Sequence, residues 1–553
     1  MSQSAPSAAP PGAITKRQIR GVMVGLMLGM FLASLDQTIV STAIYTVAND
    51  LDGLSLQAWA TTAYLITSTV STPLYGKLSD IFGRRPLYIA AIAIFLGGSI
   101  FAGSVHSMSE LAVARGIQGL GAGGLMALAL AIIGDIVPLS DRAKYQGYFM
   151  SVFGVSSVLG PVVGGAFAGA DQILWITGWR WVFYVNVPVA IAALVTVFLF
   201  LHLPAHHTRQ RIDYFGAAAI TVGLVPLLLV AEQGRGWGWA SANSIVCYAI
   251  GAVGLAAFVV IEKFAGDYAL IPLRLFKSAQ FSLSALLNFI IGIGMFGAIA
   301  MLPMYLQLVK GLTPTQAGLL MITFTVGIMS ASITAGRTIS ATGTFKIFPM
   351  IGTLLLAGAA TTMGFVLTVD TPLWVPALVA VFFGMGLGCC MQPLVLAMQT
   401  SVPPKDMGVG TSTAAFFRSM GGAVGTAVFI SMLFSLAADK ISSTMKDAVN
   451  QADFIKTMRD PAVAADPANK PLFDLFKGGT SGGLGTDNLN DTSWLSKANS
   501  VLTHPIKDGF SQSVDVVMLT AAGLMVVAFL ITLALPNVKL RDPKAALKEP
   551  AAA

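Results

Sequence analysis

Charge is scarce in this chain: only 11% of its 553 residues are Asp, Glu, Lys or Arg, against 55% hydrophobic residues. Mean hydropathy is +0.75, which excludes an ordinary soluble globule and leaves an integral membrane protein of many helices. Cysteine is nearly absent. Cys247, Cys389 and Cys390 all fall in apolar runs, so no structural disulfide is expected and the adjacent pair reads as packing. There is no G-x-x-x-x-G-K-[ST] nucleotide loop, no zinc-ligand cluster and no Ser/His/Asp arrangement, so an enzyme is not expected. No cleavable leader is expected either: the polar start ends in Lys16, Arg17 and Arg20, and the apolar run that follows is too long for one.

What is present is long apolar runs. They predict fourteen spans near 21–44, 57–76, 86–105, 110–134, 145–169, 182–203, 213–231, 243–263, 281–308, 316–336, 347–368, 374–399, 409–437 and 514–536. The basic residues fix the orientation. Twenty of the 33 Lys and Arg fall on one side, against Arg180, Arg235 and Lys310 in the short loops of the other. That places both termini in the cytoplasm, so the net charge of +7 reads as topology rather than nucleic-acid binding. The stretch 438–513 breaks the rhythm with eight basic and nine acidic residues and a glycine-rich middle. It reads as a long outside loop, either a solvated connector or a docking surface for an accessory protein. Ile441–Met458 and Trp494–Leu502 are candidate short helices, the second ending near Pro505.

The expected organisation is a tail (1–20), a six-helix half (21–203), an inserted pair of helices with linkers (204–280), a second half with the outside loop (281–536) and a second tail (537–553). Glycine patterns repeat between halves at offsets of 260 to 267 residues: Gly76 with Gly336, Gly119 with Gly386, Gly160 with Gly425. Parallel repeats of this kind place a binding site near the midplane between the halves.

Asp36 is the one formal charge between Gly21 and Tyr45. A carboxylate at such depth costs roughly 2.5–3.5 kcal/mol on insertion scales, so it faces protein or a wet cavity. An apolar setting disfavours its charge, which suits a reversible proton carrier; the other reading is a permanent ion pair used as a packing device. Arg115 is the one basic residue within the N-half spans, and Arg115, Gln118 and Gly119 share a helix face. Asp80 and Arg84 stand one helical turn apart. Gly160-Pro161 removes a helical hydrogen bond, and Gly164 and Gly165 invite a neighbouring helix. Gln37, Gln118, Asn288, Gln307 and Gln392 are polar candidates for a substrate cavity, with Asp36 as a counter-charge for cations. No acid was found mid-span in helices 9 to 14.

Gly76-Lys-Leu-Ser-Asp80-Ile-Phe-Gly83-Arg84-Arg85 resembles the loop 2–3 signature of the major facilitator superfamily, and Arg115-Gly-Ile-Gln118-Gly119-Leu-Gly121 its span 4 motif. Gly160-Pro161-Val-Val-Gly164-Gly165 resembles the span 5 motif of its antiporters, with Ser156 where the longer pattern has glycine. Leu35-Asp36-Gln-Thr-Ile-Val40, Trp179-Arg-Trp-Val-Phe183 with Asn186 and Pro188, and Arg418-Ser-Met-Gly-Gly422 are similar to its fourteen-helix drug:proton antiporters. The resemblance implies an all-α polytopic fold of two six-helix halves plus an inserted pair. It implies proton-coupled export of hydrophobic or amphipathic compounds across the cytoplasmic membrane of a bacterium. It further implies that Arg115 meets Asp36, and that Gly76, Asp80, Gly83, Arg84, Arg85 and Asp135 latch the cytoplasmic side. The partners expected are such substrates, protons and membrane lipids, with no nucleic acid, no metal and no cofactor beyond the proton gradient, in a monomer. The alternatives are export of a lipid or endogenous metabolite on the same fold, or a receptor that no longer transports.

Overall fold

The structure is a computed structural model and describes residues 16–51, 56–137, 139–201, 213–312, 314–403, 406–470, 473 and 498–537. The two tails expected to be cytoplasmic are for the most part outside that set, as is the glycine-rich middle of the loop after span 13. The apolar runs fold as α1 (Lys16–Asp50), α2 (Gln57–Phe82), α3 (Arg84–Ser104), α4 (Met108–Ile136), α5 (Leu139–Ala168) and α6 (Asn186–Phe200). After these come α7 (Tyr214–Trp237), α8 (Ala242–Ala265), α9 (Ala279–Met304), α10 (Pro314–Thr342), α11 (Ile347–Val366), α12 (Trp374–Thr400), α13 (Met407–Ala448) and α14 (Ser500–Ala534). The only strands among the described residues are a two-residue hairpin, Gln172–Ile173 with Ile176–Thr177.

Twelve of the described helices are long and apolar enough to cross a membrane; α2 and α5 are the two expected spans that are not among them. In α2 the reason is its hydroxyls. Thr67 donates to Ala63 O at 2.8 Å, Ser68 to Leu65 O at 3.0 Å and Thr72 to Ser68 O at 2.7 Å. Each hydroxyl is satisfied within its own helix, which makes a polar-looking sequence compatible with membrane depth.

Small residues set the spacing of the N-terminal helices. A Cβ on Gly119 or Gly123 would strike the α2 carbonyls of Tyr64 or Ser68, and one on Gly121 would stand 2.6 Å from Ala91 O of α3. Helix α4 is thereby held between α2 and α3 at backbone contact. Two apolar clusters lie wholly within residues 19–201, and the largest lies within 287–531. A further cluster joins α7 (Ile220, Leu224, Leu228) to α2 (Ile66, Val70) and α13 (Phe416). The inserted pair α7–α8 therefore sits over a seam between the first and last groups of helices. Glu262, 1% exposed, accepts the backbone N–H groups of Leu270 and Ile271 at 3.0 and 3.2 Å and fixes the turn after α8.

The largest correction concerns the outside loop. Its expected boundaries, 438 and 513, both fall inside helices: α13 runs on to Ala448 and α14 starts at Ser500. The extensions are core. Ile441, Ala448, Phe454, Leu502 and Ile506 are buried in the C-terminal cluster, and the Thr444 hydroxyl donates to Pro505 O at 2.7 Å. Hydropathy sees only the part of a helix that lies in lipid, so helices that pair beyond it are read as loop. Pro505 stands within the second turn of α14 rather than ending a helix. Replacing 445–505 would thus excise core side chains. Exchanging 474–497 for a linker of ~10 Gly/Ser residues is expected to preserve the melting temperature and dye efflux, whereas exchanging 445–505 lowers both; equal behaviour of the two variants in thermal unfolding would refute the paired extensions.

Candidate functional site

Asp36 lies in the middle of α1 and is fully buried. Its Oδ2 is ion-paired with Arg115 Nη1 of α4, and its Oδ1 accepts from Gln118 Nε2 at 3.0 Å and Asn186 Nδ2 of α6 at 2.7 Å. Arg115 is itself held on three sides: Nη1 reaches Gln118 Oε1 at 2.9 Å, Nε reaches Ala60 O at 3.3 Å, and the guanidinium lies 4.3 Å from the Tyr64 ring centre. Ser99 of α3 completes the cluster, accepting from Gln118 at 2.7 Å. Buried polar groups demand partners, and here one carboxylate ties α1, α3, α4 and α6 together. Asn186, Ser99 and Tyr64 were not among the sequence candidates. The first was visible only as part of the Trp179–Pro188 motif; 150 residues separate it from Asp36.

One unmet group stands beside this network. Asn186 Oδ1 is buried and has no hydrogen-bond partner. A carboxamide carries donor and acceptor on opposite sides, so rotating it would offer Asp36 an acceptor in place of a donor. That is what a protonated carboxyl requires.

At the end of the bundle where α1 begins and α14 stops, Arg84 joins two acids. Its Nη1 lies 2.6 Å from Asp80 Oδ1 and its Nε 2.7 Å from Asp135 Oδ2 of α4, with Ser79 Oγ also in contact. Asp80 accepts the backbone N–H of Val409 in the first turn of α13, where exposed amides and the helix dipole favour a carboxylate. A Cβ on Gly408 would stand 2.5 Å from Arg84 Nη1, and one on Gly76 would overlap Ser412. Gly83, at φ +91°, makes the turn between α2 and α3 in a region open chiefly to glycine. Arg274 pairs with Asp406 at 2.9 Å beside the same α13 start, two residues that hydropathy and motif reading passed over. Arg85 stands apart from Arg84: its Nη2 donates to Phe198 O at 2.9 Å near the end of α6.

The glycines of the span 5 motif divide likewise. A Cβ on Gly160 would overlap the Thr38 side chain of α1, and one on Gly164 would stand 2.8 Å from Ile39 O, yet one on Gly165 meets nothing within 4 Å. Thr38 Oγ1 also lies 3.1 Å from Ser156 O. Gly164→Ala is expected to push α1 from α5 and lower the melting temperature, by about 1–3 kcal/mol in stability. Gly165→Ala is expected to leave it unchanged or raised, since alanine is the better helix former. Equal thermal stability of the two purified variants would contradict this assignment.

The substrate-cavity candidates are not brought together. Gln118 belongs to the Asp36 cluster, and Gln37, next along α1, is partly exposed. Asn288 and Gln392 are buried, the former donating to Ser284 O at 2.8 Å. Gln307 is exposed in a π-helical turn beyond α9, roughly 28 Å along the helix from Asn288. Asp515, placed at the edge of span 14 by hydropathy, is sixteenth in α14, and its buried Oδ1 has no hydrogen-bond partner. The C-terminal half therefore does carry an acid inside a helix.

Residues 26–426 match the Major Facilitator Superfamily. The chain is 37% identical over 414 residues to the multidrug transporter protein MdtP of Bacillus subtilis, covering 73% of each. It is 36% identical to a tetracycline resistance determinant of Streptomyces rimosus, over 58% of this chain and 90% of the other. It is 32% identical to multidrug resistance protein 3 of Bacillus subtilis, over 76% and 81%. Among solved structures, the human organic anion transporter MFSD10 (TETRAN) superposes with a TM-score of 0.57 at 14% identity, over 95% of this chain and 100% of that one. The proton:xylose symporter XylE does so with 0.57 at 17%, over 95% and 97%; at such identities these two attest the fold alone. The chain is thus a multi-pass membrane transporter that belongs to the Major Facilitator Superfamily, in the family of its drug-efflux proteins.

Proposed function

We propose that this protein exports hydrophobic or amphipathic compounds, drugs and dyes among them, in exchange for protons. The observation that carries the reading is the Asp36 cluster: a fully buried carboxylate whose ion pair with Arg115 and bond from Asn186 both depend on its protonation state. Ionised, Asp36 holds α1 against α4 and α6. Protonated, it releases the Arg115 charge and donates to the rotated Asn186 carbonyl. A proton thereby interacts differently with two arrangements of the same helices, and only such a difference shifts a conformational equilibrium. Rocking of two six-helix halves, 21–203 and 281–536, alternates access to the space between them, with 204–280 as the inserted pair. The Asp80–Arg84–Asp135 latch closes the cytoplasmic side in one state.

The relatives with tetracycline and multidrug names support the cargo class. The basic residues around the latch support a reading in which both termini are cytoplasmic and the protein sits in a bacterial cell membrane. The protein works as a monomer on the proton gradient, without a further cofactor. Reconstitution into proteoliposomes with an imposed pH gradient is the test. Dye transport that follows the size and sign of the gradient is expected; transport indifferent to it would overturn the antiport reading.

A further inference from the structure

Asp36 was read from sequence as a counter-charge for cationic substrates, but here it is fully buried and holds three donors. Apart from Lys263 at the last position of its span, Arg115 and Arg418 are the two basic residues that fall inside the expected spans. Arg115 is paired, whereas Arg418 makes no hydrogen bond or ion pair with any described residue.

Arg418 is the twelfth residue of α13, about 16 Å from the helix start. Its backbone is locked at that depth against α9. A Cβ on Gly292 would strike the Arg418 carbonyl, and one on Gly425, two turns on, would stand 2.6 Å from Ile293 Cα. Protein surrounds the side chain, yet it remains part-accessible. Accessible surface so deep among helices borders an internal space rather than lipid. One and two turns along α9 from Gly292 stand Asn288 and Ser284, and Ser284 Oγ is buried with no partner. Helical side chains lean toward the helix N-terminus, and α9 and α13 run parallel, with Gly292 and Ile293 level with Arg418 and Gly425, so the guanidinium leans toward the level of Asn288.

An arginine at membrane depth needs a partner or water, and its planar fork matches a carboxylate with two parallel hydrogen bonds. We propose that Arg418 is a substrate anion site. The preferred cargo is an amphipathic organic acid, anionic or zwitterionic, whose carboxylate docks on Arg418. This deepens the export reading and rests on it for transport, though binding is measured without it.

Rhodamine B, which has a free carboxylate, and its ethyl ester share one body and separate the acid from the rest of the molecule. Their binding to the purified full-length protein in detergent is followed by fluorescence polarisation. The wild-type protein is expected to bind the acid ~10-fold more tightly than the ester, the effect of one charge-assisted pair. Arg418→Gln abolishes that preference and leaves ester binding within about twofold; Arg418→Lys keeps part of it. Wild-type protein that binds both dyes equally, or prefers the ester, overturns the proposal with no variant needed. So does Arg418→Gln protein that weakens both dyes alike. Should acid-selective binding persist while efflux ignores the pH gradient, the antiport reading falls and the anion site stands.

Discussion

Asp36→Asn is expected to abolish pH-driven efflux. An amide preserves the shape of the carboxyl and accepts from Arg115 or Asn186, but it neither ionises nor carries a proton. The variant is locked in the protonated half of the cycle, so substrate still binds while the gradient no longer moves it. There is a second consequence. Arg115 loses the partner of a fully buried pair, and removing one member of such a pair costs about 3–5 kcal/mol. The single variant therefore melts at a lower temperature, and adding Arg115→Gln restores much of that loss without restoring transport. The pair of variants separates coupling from stability, with efflux under an imposed gradient as one readout and thermal unfolding as the other. Undiminished efflux by a well-inserted Asp36→Asn protein would remove Asp36 from the cycle.

Arg84→Ala is the second large effect. Arg84 is 8% exposed and neutralises Asp80 and Asp135 together. Without it the two acids face each other, and Asp80 loses what orients it toward the Val409 N–H of α13. The contact between α2 and the start of α13 weakens, which favours opening on that side. Turnover is expected to fall by ~10-fold or more, since one broken buried pair exceeds the 1.4 kcal/mol that a factor of ten represents. A cysteine at Ser412, packed on Gly76, is expected to become more reactive to a reagent supplied from the cytoplasmic side. Unchanged labelling with normal turnover would leave Arg84 a charge that orients the chain and nothing more. Arg85→Ala is the internal control, because Arg85 is bound to Phe198 and stands outside the Asp80–Arg84–Asp135 ion pairs.

The contrast between these two arginines shows where reading a sequence stops. Apolar length, the single charge in span 1, and the four-residue spacing of Asp80 and Arg84 are local properties, each with one physical meaning whatever the rest of the chain does. They determined that the chain is polytopic and α-helical, that Asp36 needed a partner, and that Asp80 and Arg84 pair. Adjacent residues on a helix, however, point about 100° apart. Arg84 joins Asp80 and Asp135 while Arg85 turns to α6, and Gly164 meets α1 while Gly165 meets nothing within 4 Å, although each pair reads as one motif. The partners of Asp36 come from two other helices, α4 and α6, and no spacing encodes which will meet. Hydropathy also marks lipid thickness, not helix length, so the paired extensions of α13 and α14 read as loop. Whether a buried charge is already satisfied is likewise decided only by packing: Arg115 and Arg418 look alike along the chain, and the fold gives a carboxylate to one and none to the other among the described residues.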